Sequence, residues 1–414
     1  MNVLIVSYYF PPINSGGSLR PAKMAEDLRR NGHGATVVTH AYGEERVEEP
    51  GVVRIHDPAY IRNRNSPMRW LRWAARRLMV EMKNRRGEYA SVFEGWRDNV
   101  LARREDLKRI AHPSVILATY PPAETLEIGL ELSHGFNCPL VADFRDGLLF
   151  EPIESRRMSR FASVVGHYRN LEAEVAEQAH GIIAVSEPIG AYFRDRYGKD
   201  RVLSVGNGFD STDYTDLPSD SGLNTRYFNV VHTGRFGLSD RGISPAAFFD
   251  AVRTVVEDTD VARRLRVHLA GEWTASERKQ IRNLVQKGVV QDHGLVSRER
   301  SLAMQRDADL LLIVTQARRT SALSTKLFEY LYARRPILAL THETAVGGIV
   351  RDTGSGWVIH PRDETRIVAF LRRAVLDSEW RTDISLEWKD IQPYAWERGM
   401  ASVRELLNRI VNDI

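Results

Sequence analysis

The chain of 414 residues contains a single cysteine, Cys138. A disulfide framework needs pairs and a cysteine-ligated metal cluster needs several, so both are excluded. That usage suits a reducing compartment and predicts a cytoplasmic protein. Long apolar runs are also missing: none approaches the ~20 residues that a membrane span takes. The N-terminus, Met1-Asn2-Val3-Leu4-Ile5-Val6, enters a strand pattern directly, without the cationic leader and extended apolar stretch of an export signal. Metal ligands are sparse. The twelve histidines include no His-x-x-x-His pair. Asp258-Thr259-Asp260 has the spacing of a metal-binding Asp-x-Asp but sits in a run of solvated-type charge, so neither a metal nor a cofactor is expected.

With 43% hydrophobic and 27% charged residues the composition is that of an ordinary globular protein. The length suits two domains of roughly 150–200 residues. The net charge of +4 conceals an asymmetry. Residues 61–86 carry nine arginines and lysines against the single acid Glu81, a local charge of +8, so the rest of the chain sums to −4. Such local basicity asks for a local anionic partner and argues against general nucleic-acid binding.

Val3 to Tyr8 is a continuous apolar run, the pattern of a strand covered on both faces. A loop ending in Gly16-Gly17 leads into a helix that Ser18 can cap and whose first turn tolerates Pro21. Ala35–Thr39, Val115–Thr119, Leu140–Asp143, Ile182–Ser186 and Val202–Val205 are further strand candidates, most of them separated by helix-length segments. Ser211 to Asn224, poor in apolar residues, reads as a linker. The alternation then restarts, with strands Phe228–Thr233, Leu265–Ala270, Asp309–Thr315 and Pro336–Leu340 and helices Pro245–Glu257, Ala275–Lys287, Thr325–Ala333 and Glu397–Ile410. The expectation is an α/β protein with two Rossmann-like domains, 1–207 joined by 394–414 and then 208–393, facing a central cleft.

Two segments carry most of the chemistry. In Val230-Val231-His232-Thr233-Gly234-Arg235-Phe236-Gly237-Leu238-Ser239-Asp240-Arg241-Gly242 a strand ends, a glycine frees the backbone, and two arginines follow. They can aim guanidinium groups at one phosphate pair, each charge-assisted hydrogen bond being worth about 1.5–3 kcal/mol. The alternative is a solvated loop with surface arginines. In Ser324-Thr325-Lys326-Leu327-Phe328-Glu329-Tyr330-Leu331, Ser324 or Thr325 can cap a helix whose first amides, at Lys326 and Leu327, face an anion. Glu329, one turn in, is placed to accept from two ribose hydroxyls; alternatively it is a surface acid pairing with Lys326.

On these segments the chain resembles the retaining glycosyltransferases of the GT-B fold, of the group 1 or family 4 type, and among them bacterial polysaccharide-assembly transferases. The resemblance implies that Arg235 and Arg241-Gly242 bind the diphosphate of a nucleotide-sugar donor, with Arg241 where lysine is usual. It implies that Gly16-Gly17, after Tyr8-Tyr9-Phe10-Pro11-Pro12, let backbone amides approach the donor phosphate. Gly294-Leu295-Val296 would receive the nucleobase, and Glu329 the ribose. Asn207-Gly208-Phe209-Asp210 resembles the segment that closes the first domain, and the C-terminal helix would cross back to that domain. Two departures stand out. The first glutamate of the family's usual pair is Ser321 here, and a histidine common near Tyr120 is absent.

Leu117-Ala118-Thr119-Tyr120-Pro121-Pro122 and Val141-Ala142-Asp143-Phe144-Arg145-Asp146 resemble the same subgroup, each following a strand. Asp143, Arg145 and Asp146 are candidates for gripping the donor sugar or the acceptor, Asp146 also as a base for the acceptor hydroxyl; the alternative is an Asp–Arg pair bracing the loop. The resemblance points to sugar transfer onto an acceptor glycan or lipid-linked acceptor. A nucleotide-sugar 2-epimerase on the same fold and a non-catalytic nucleotide-sugar binder stay open as rivals.

The basic stretch has its own pattern. At about 100° per residue, Met68, Leu71, Ala75, Leu78, Met79 and Met82 share one face, with Arg69, Arg72, Arg76 and Lys83 opposite. The apolar face is expected to pack on the first domain. Trp70 and Trp73 fall near the arginines, which suits either an anionic membrane interface or a solvated basic face.

Overall fold

The computed structural model describes residues 1–13, 16–42, 49–60, 67–152, 160–237, 243–316, 319–380 and 391–413. The chain divides into two compact units, Met1–Gly206 with Gly399–Ile414, and Asn207–Arg398.

The first unit is built on seven strands: β1 (Asn2–Val6), β2 (Gly34–His40), β3 (Val52–Ile55), β4 (Val115–Tyr120), β5 (Leu140–Phe144), β6 (Gly181–Ala184) and β7 (Val202–Ser204). They run parallel in the order β3-β2-β1-β4-β5-β6-β7. Every residue of β4, β5 and β6 is buried, which is why their sequences are apolar but for Thr119 and Asp143. Around the sheet lie α1 (Gly16–Arg30), α2 (Pro67–Arg85), α3 (Glu94–Ala102), α4 (Arg104–Ala111), α5 (Glu124–Phe136), α6 (Ala162–Gln178) and α7 (Glu187–Tyr197).

The second unit has six parallel strands, β8 (Phe228–Thr233), β9 (Leu265–Ala270), β10 (Val290–Gly294), β11 (Leu310–Val314), β12 (Ile337–Leu340) and β13 (Gly356–Ile359), in the order β10-β9-β8-β11-β12-β13. Its helices are α8 (Ala246–Val255), α9 (Thr259–Arg264), α10 (Ala275–Gln286), α11 (Arg298–Asp307), α12 (Thr325–Ala333), α13 (Ala345–Asp352) and α14 (Glu364–Leu376). The final helix, α15 (Trp396–Asn412), buries Met400, Val403, Leu406, Leu407 and Ile410. Arg404 donates to Asp27, and Arg201 pairs with Asp413 at 2.8 Å, so the end of α15 is part of the first unit.

Strand order reverses between β1 and β4 in the first sheet and between β8 and β11 in the second. The loops at the carboxyl ends of those strands are where open α/β sheets take ligands.

Residues 211–224 are not a linker. Ser211–Tyr214 forms a 3-10 turn, the Tyr214 hydroxyl donates to the Glu329 carbonyl at 3.0 Å, and the Tyr214 ring lies 4.3 Å from that of Tyr332. Polar composition concealed a segment fastened to its unit by Tyr214, by an Asp213–Arg298 pair and by Arg306 on the Pro218 carbonyl. Residues 394–396 also stay with the second unit, because Phe209 donates to the Tyr394 carbonyl at 3.1 Å and accepts from the Trp396 amide at 3.0 Å. Asp258 accepts from the amides of Asp260 and Val261 as the N-cap of α9, which occupies one carboxylate of the Asp-x-Asp.

Candidate functional site

In the second unit, β8 ends at Thr233 and the chain turns at Gly234, whose φ of +96° favours glycine. A Cβ on Gly234 would lie 3.3 Å from both Cε and Nζ of Lys326, so the missing side chain is what lets the lysine close on this turn. Gly271, after β9, has its own reason to be glycine: a Cβ there would stand 2.0 Å from the Gly234 carbonyl oxygen.

Lys326 Nζ lies 3.4 Å from the Arg235 carbonyl oxygen and 3.5 Å from His232 Nε2. The His232 Nδ1–H donates to the Leu312 carbonyl at 2.9 Å, which fixes the neutral tautomer with Nε2 as acceptor. Burial, with the nearby lysine adding to it, holds the His232 pKa well below its ordinary value. Burial also lowers Lys326, to about 8, with Glu329 opposing the shift. The ammonium therefore waits with a neutral ring and a carbonyl as partners, under-neutralised beside the turn.

The start of α12 reinforces this. Ser324 occupies the N-cap position, but its side chain makes no capping hydrogen bond, contrary to the expectation for this helix. The Leu327 amide turns back to the Ser324 carbonyl, and the positive end of the helix dipole, with no side-chain cap on it, suits an external anion.

The Arg235 guanidinium pairs with Glu272, both side chains being about half exposed (49% and 41%). Such a surface pair is worth about 0.2–1 kcal/mol. A charge-assisted bond to phosphate offers about 1.5–3 kcal/mol, more than the pair with Glu272 supplies. Arg241 lies outside the described residues.

Glu329 does not pair with Lys326 in the way an ordinary helix-surface acid would. Its carboxylate accepts from Arg298 at 2.9 Å and from Gln305 at 3.0 Å, and Arg298 also binds Asp213 at 2.6 Å. The Gln305 amide reaches the Thr233 hydroxyl at 2.9 Å, while the Thr233 amide donates to the Tyr330 hydroxyl at 3.1 Å. One network therefore joins the end of β8, α11 and α12, and it presents Lys326, Glu329 and the Gly234-Arg235 turn on the same strand ends. Leu327 is buried in the core beneath, its amide bonded to the Ser324 carbonyl at 3.1 Å. Val296 packs against that core after β10, beside an exposed Leu295. Ser321 is buried at 1% exposure, so a side chain of glutamate size is absent from an interior position.

In the first unit, Asp143 corrects an expectation. It is fully buried, and its carboxylate is taken by Arg20, at 2.8, 3.0 and 3.2 Å, and by the Thr119 hydroxyl at 2.7 Å. The same guanidinium donates to the carbonyls of Val205 at 2.8 Å and Gly206 at 3.1 Å. Asp143, on an interior strand, braces α1 against the ends of β4 and β5, the alternative that the sequence had offered to gripping a substrate. Arg145 donates to the carbonyls of Gly17, Pro121 (2.6 Å) and Tyr120 (3.2 Å), so it ties the first turn of α1, which Gly16 begins, to the turn after β4. Asp146, half-buried, sits where its charge acts on Arg145.

Arg20, Arg298 and Gln305 did not stand out from the sequence. Arg20 left a trace: it shares an i, i+4, i+8 stripe with Met24 and Leu28, and all three are buried. Arg298 follows Val296 by two residues, just beyond the loop already singled out and at the start of α11, but its partners are distant in sequence.

Residues 15–208 match the family model described as glycosyl transferase 4-like domain. No curated protein sequence matches the chain. Among solved structures, the sucrose-phosphate synthase of Thermosynechococcus elongatus superposes with a TM-score of 0.72 at 15% identity, over 100% of this chain and 99% of that one. HepE of Anabaena, in complex with UDP and glucose, gives 0.57 at 16% identity over 100% and 98%. A putative UDP-N-acetylglucosamine 2-epimerase from Listeria monocytogenes gives 0.61 at 12% over 100% and 97%. The chain is thus an α/β protein of two Rossmann-like units in the GT-B class. Residues 15–208 are similar to the glycosyl transferase 4-like domain, and the fold throughout is the GT-B fold of the structures the chain superposes on.

Proposed function

We propose that the protein is a hexosyltransferase-type enzyme that moves a sugar from a nucleotide-diphosphate donor to an acceptor hydroxyl in polysaccharide or lipid-linked glycan assembly, with retention at the anomeric carbon. The observation that carries this reading is the under-neutralised Lys326 ammonium at an uncapped helix start, closed onto the Gly234-Arg235 turn. Those groups suit a diphosphate leaving group, whose growing charge they would stabilise as the bond to the sugar breaks. Glu329 takes the ribose, exchanging hydrogen bonds with Arg298 and Gln305 for ribose hydroxyls, and the backbone around Val296 takes the base. The first unit receives the acceptor, with Arg145 holding its loops in place and Asp146 nearest to a base. The donor acts as substrate, and no cofactor or metal has a role in this scheme. Because HepE is described with UDP and glucose, UDP-glucose is the first donor to test.

The test is calorimetry with UDP, UDP-glucose and related nucleotide sugars, followed by release of nucleoside diphosphate across a panel of glycan and lipid-linked acceptors. Acceptor-dependent turnover is expected. A donor converted to its 2-epimer without acceptor would replace this reading with the epimerase, and a donor bound but never consumed would replace it with a binding protein.

A further inference from the structure

Helix α2 is mounted in the reverse of the orientation its pattern predicts. Leu71, Leu78, Met79 and Met82 are 55%, 60%, 59% and 45% exposed, whereas Asn84 is buried at 3%. Asn84 fixes the helix from its polar side. Its amide donates to the carbonyls of Val80 and Ala90 at 2.9 and 2.8 Å, and its side-chain oxygen accepts from Ser163 on α6 at 3.1 Å. Of the nine large hydrophobic side chains exposed among the described residues, four belong to this one helix. A stripe gathered in this way marks an interaction surface, unlike scattered exposed side chains.

The flanks are cationic. Arg72 and Lys83 are exposed along one side of the stripe and Arg85 and Arg86 follow at its end. The one acid, Glu81, is already held by Arg85 at 2.7 Å and by Arg160 at 2.9 Å. Trp73 lies half-buried with the Arg77 guanidinium 4.6 Å over its ring. An apolar stripe bordered on one side and at its end by positive charge is complementary to a surface that is anionic outside and apolar beneath. A second copy of the same helix would bring like charges together, and a nucleic acid offers nothing for the leucine and methionine side chains. We propose that α2 docks the protein onto an anionic lipid bilayer, with Leu71, Leu78, Met79 and Met82 in the acyl boundary and the flanking arginines and lysine at the headgroups. This surface belongs to the first unit and the donor site to the second, so the proposal does not depend on which sugar is transferred.

The experiment is flotation of the full chain with vesicles of phosphatidylcholine alone and with about 30% phosphatidylglycerol, at low and high salt. Binding is expected only to the anionic vesicles, reduced at least about tenfold by Leu78→Ser/Met79→Ser and by Arg72→Ser/Lys83→Ser, and weakened by salt. All the substituted side chains are exposed, so melting temperature and UDP affinity should match those of the parent chain; that keeps a failure here distinct from a failure of the donor site. Equal binding to neutral vesicles, no binding to either, or a soluble dimer abolished by Leu78→Ser/Met79→Ser would overturn the proposal.

Discussion

The Lys326 ammonium donates toward Nε2 of His232, 3.5 Å away, on a ring whose other nitrogen is committed to Leu312. With its pKa lowered to about 8 by burial, Lys326 is charged at neutral pH and loses its proton just above it. A bound diphosphate stabilises the charged form, so binding above pH 8 must take up a proton. Affinity for UDP should therefore fall as pH rises through 8, by up to about tenfold per unit. Lys326→Met should bind at least about tenfold more weakly at pH 7 and lose that slope. Calorimetry from pH 6.5 to 9.5 decides it, and a flat wild-type profile would rule the role out.

Arg235 is expected to act mainly after binding. Arg235→Ala should lower kcat/KM by about 100-fold or more, roughly 2.7 kcal/mol of transition-state stabilisation. Glu272→Gln removes only a half-exposed surface pair and should leave kcat/KM within a few-fold. Steady-state kinetics on both variants separates the two; a near-wild-type Arg235→Ala enzyme would contradict the assignment.

Glu329 should read the ribose. In Glu329→Gln the charge-assisted bonds are lost, worth about 1.5–3 kcal/mol each, and UDP should bind at least about tenfold more weakly. The preference for UDP over its 2′-deoxy analogue should shrink in the same variant. If the ratio of the two affinities is unchanged, the carboxylate serves Arg298 and Gln305 alone.

The Arg20–Asp143 pair has zero exposure on both sides. Arg20→Met strands a buried carboxylate, which costs about 3–5 kcal/mol, or roughly 6–20 °C in the melting of that unit. Replacing both partners, as Arg20→Met/Asp143→Leu, should recover part of the loss. Scanning calorimetry measures it, and a single variant as stable as the parent would remove the bracing role.

Much of this was legible in one sequence. The central strands announced themselves because burial on both faces leaves mostly apolar residues, as in residues 115–118 and Leu310–Val314. The three strands that escaped, β3, β10 and β13, are all at sheet edges, and β10 in particular reads Val-Gln-Asp-His-Gly because much of it faces solvent. Around the candidate site, the Gly234 turn and the start of α12 showed through because a glycine after a strand and a serine before a helix are signals carried by consecutive residues. Asp143 misled, since only the fold reveals that an arginine more than a hundred residues away claims it. The reversed helix α2 misled for a related reason: periodicity locates an apolar stripe but says nothing about which side is turned inward.

Arg20 holds the carbonyls of Val205 and Gly206, the last residues before the chain passes into its second half. It does so from α1, the helix that Gly16 and Gly17 begin. The glycine turn and the departure point of the backbone are thus moored to a single post. Slack introduced at that arginine would loosen both at once, so kinetic damage from a change at residue 20 should accompany the loss of heat tolerance.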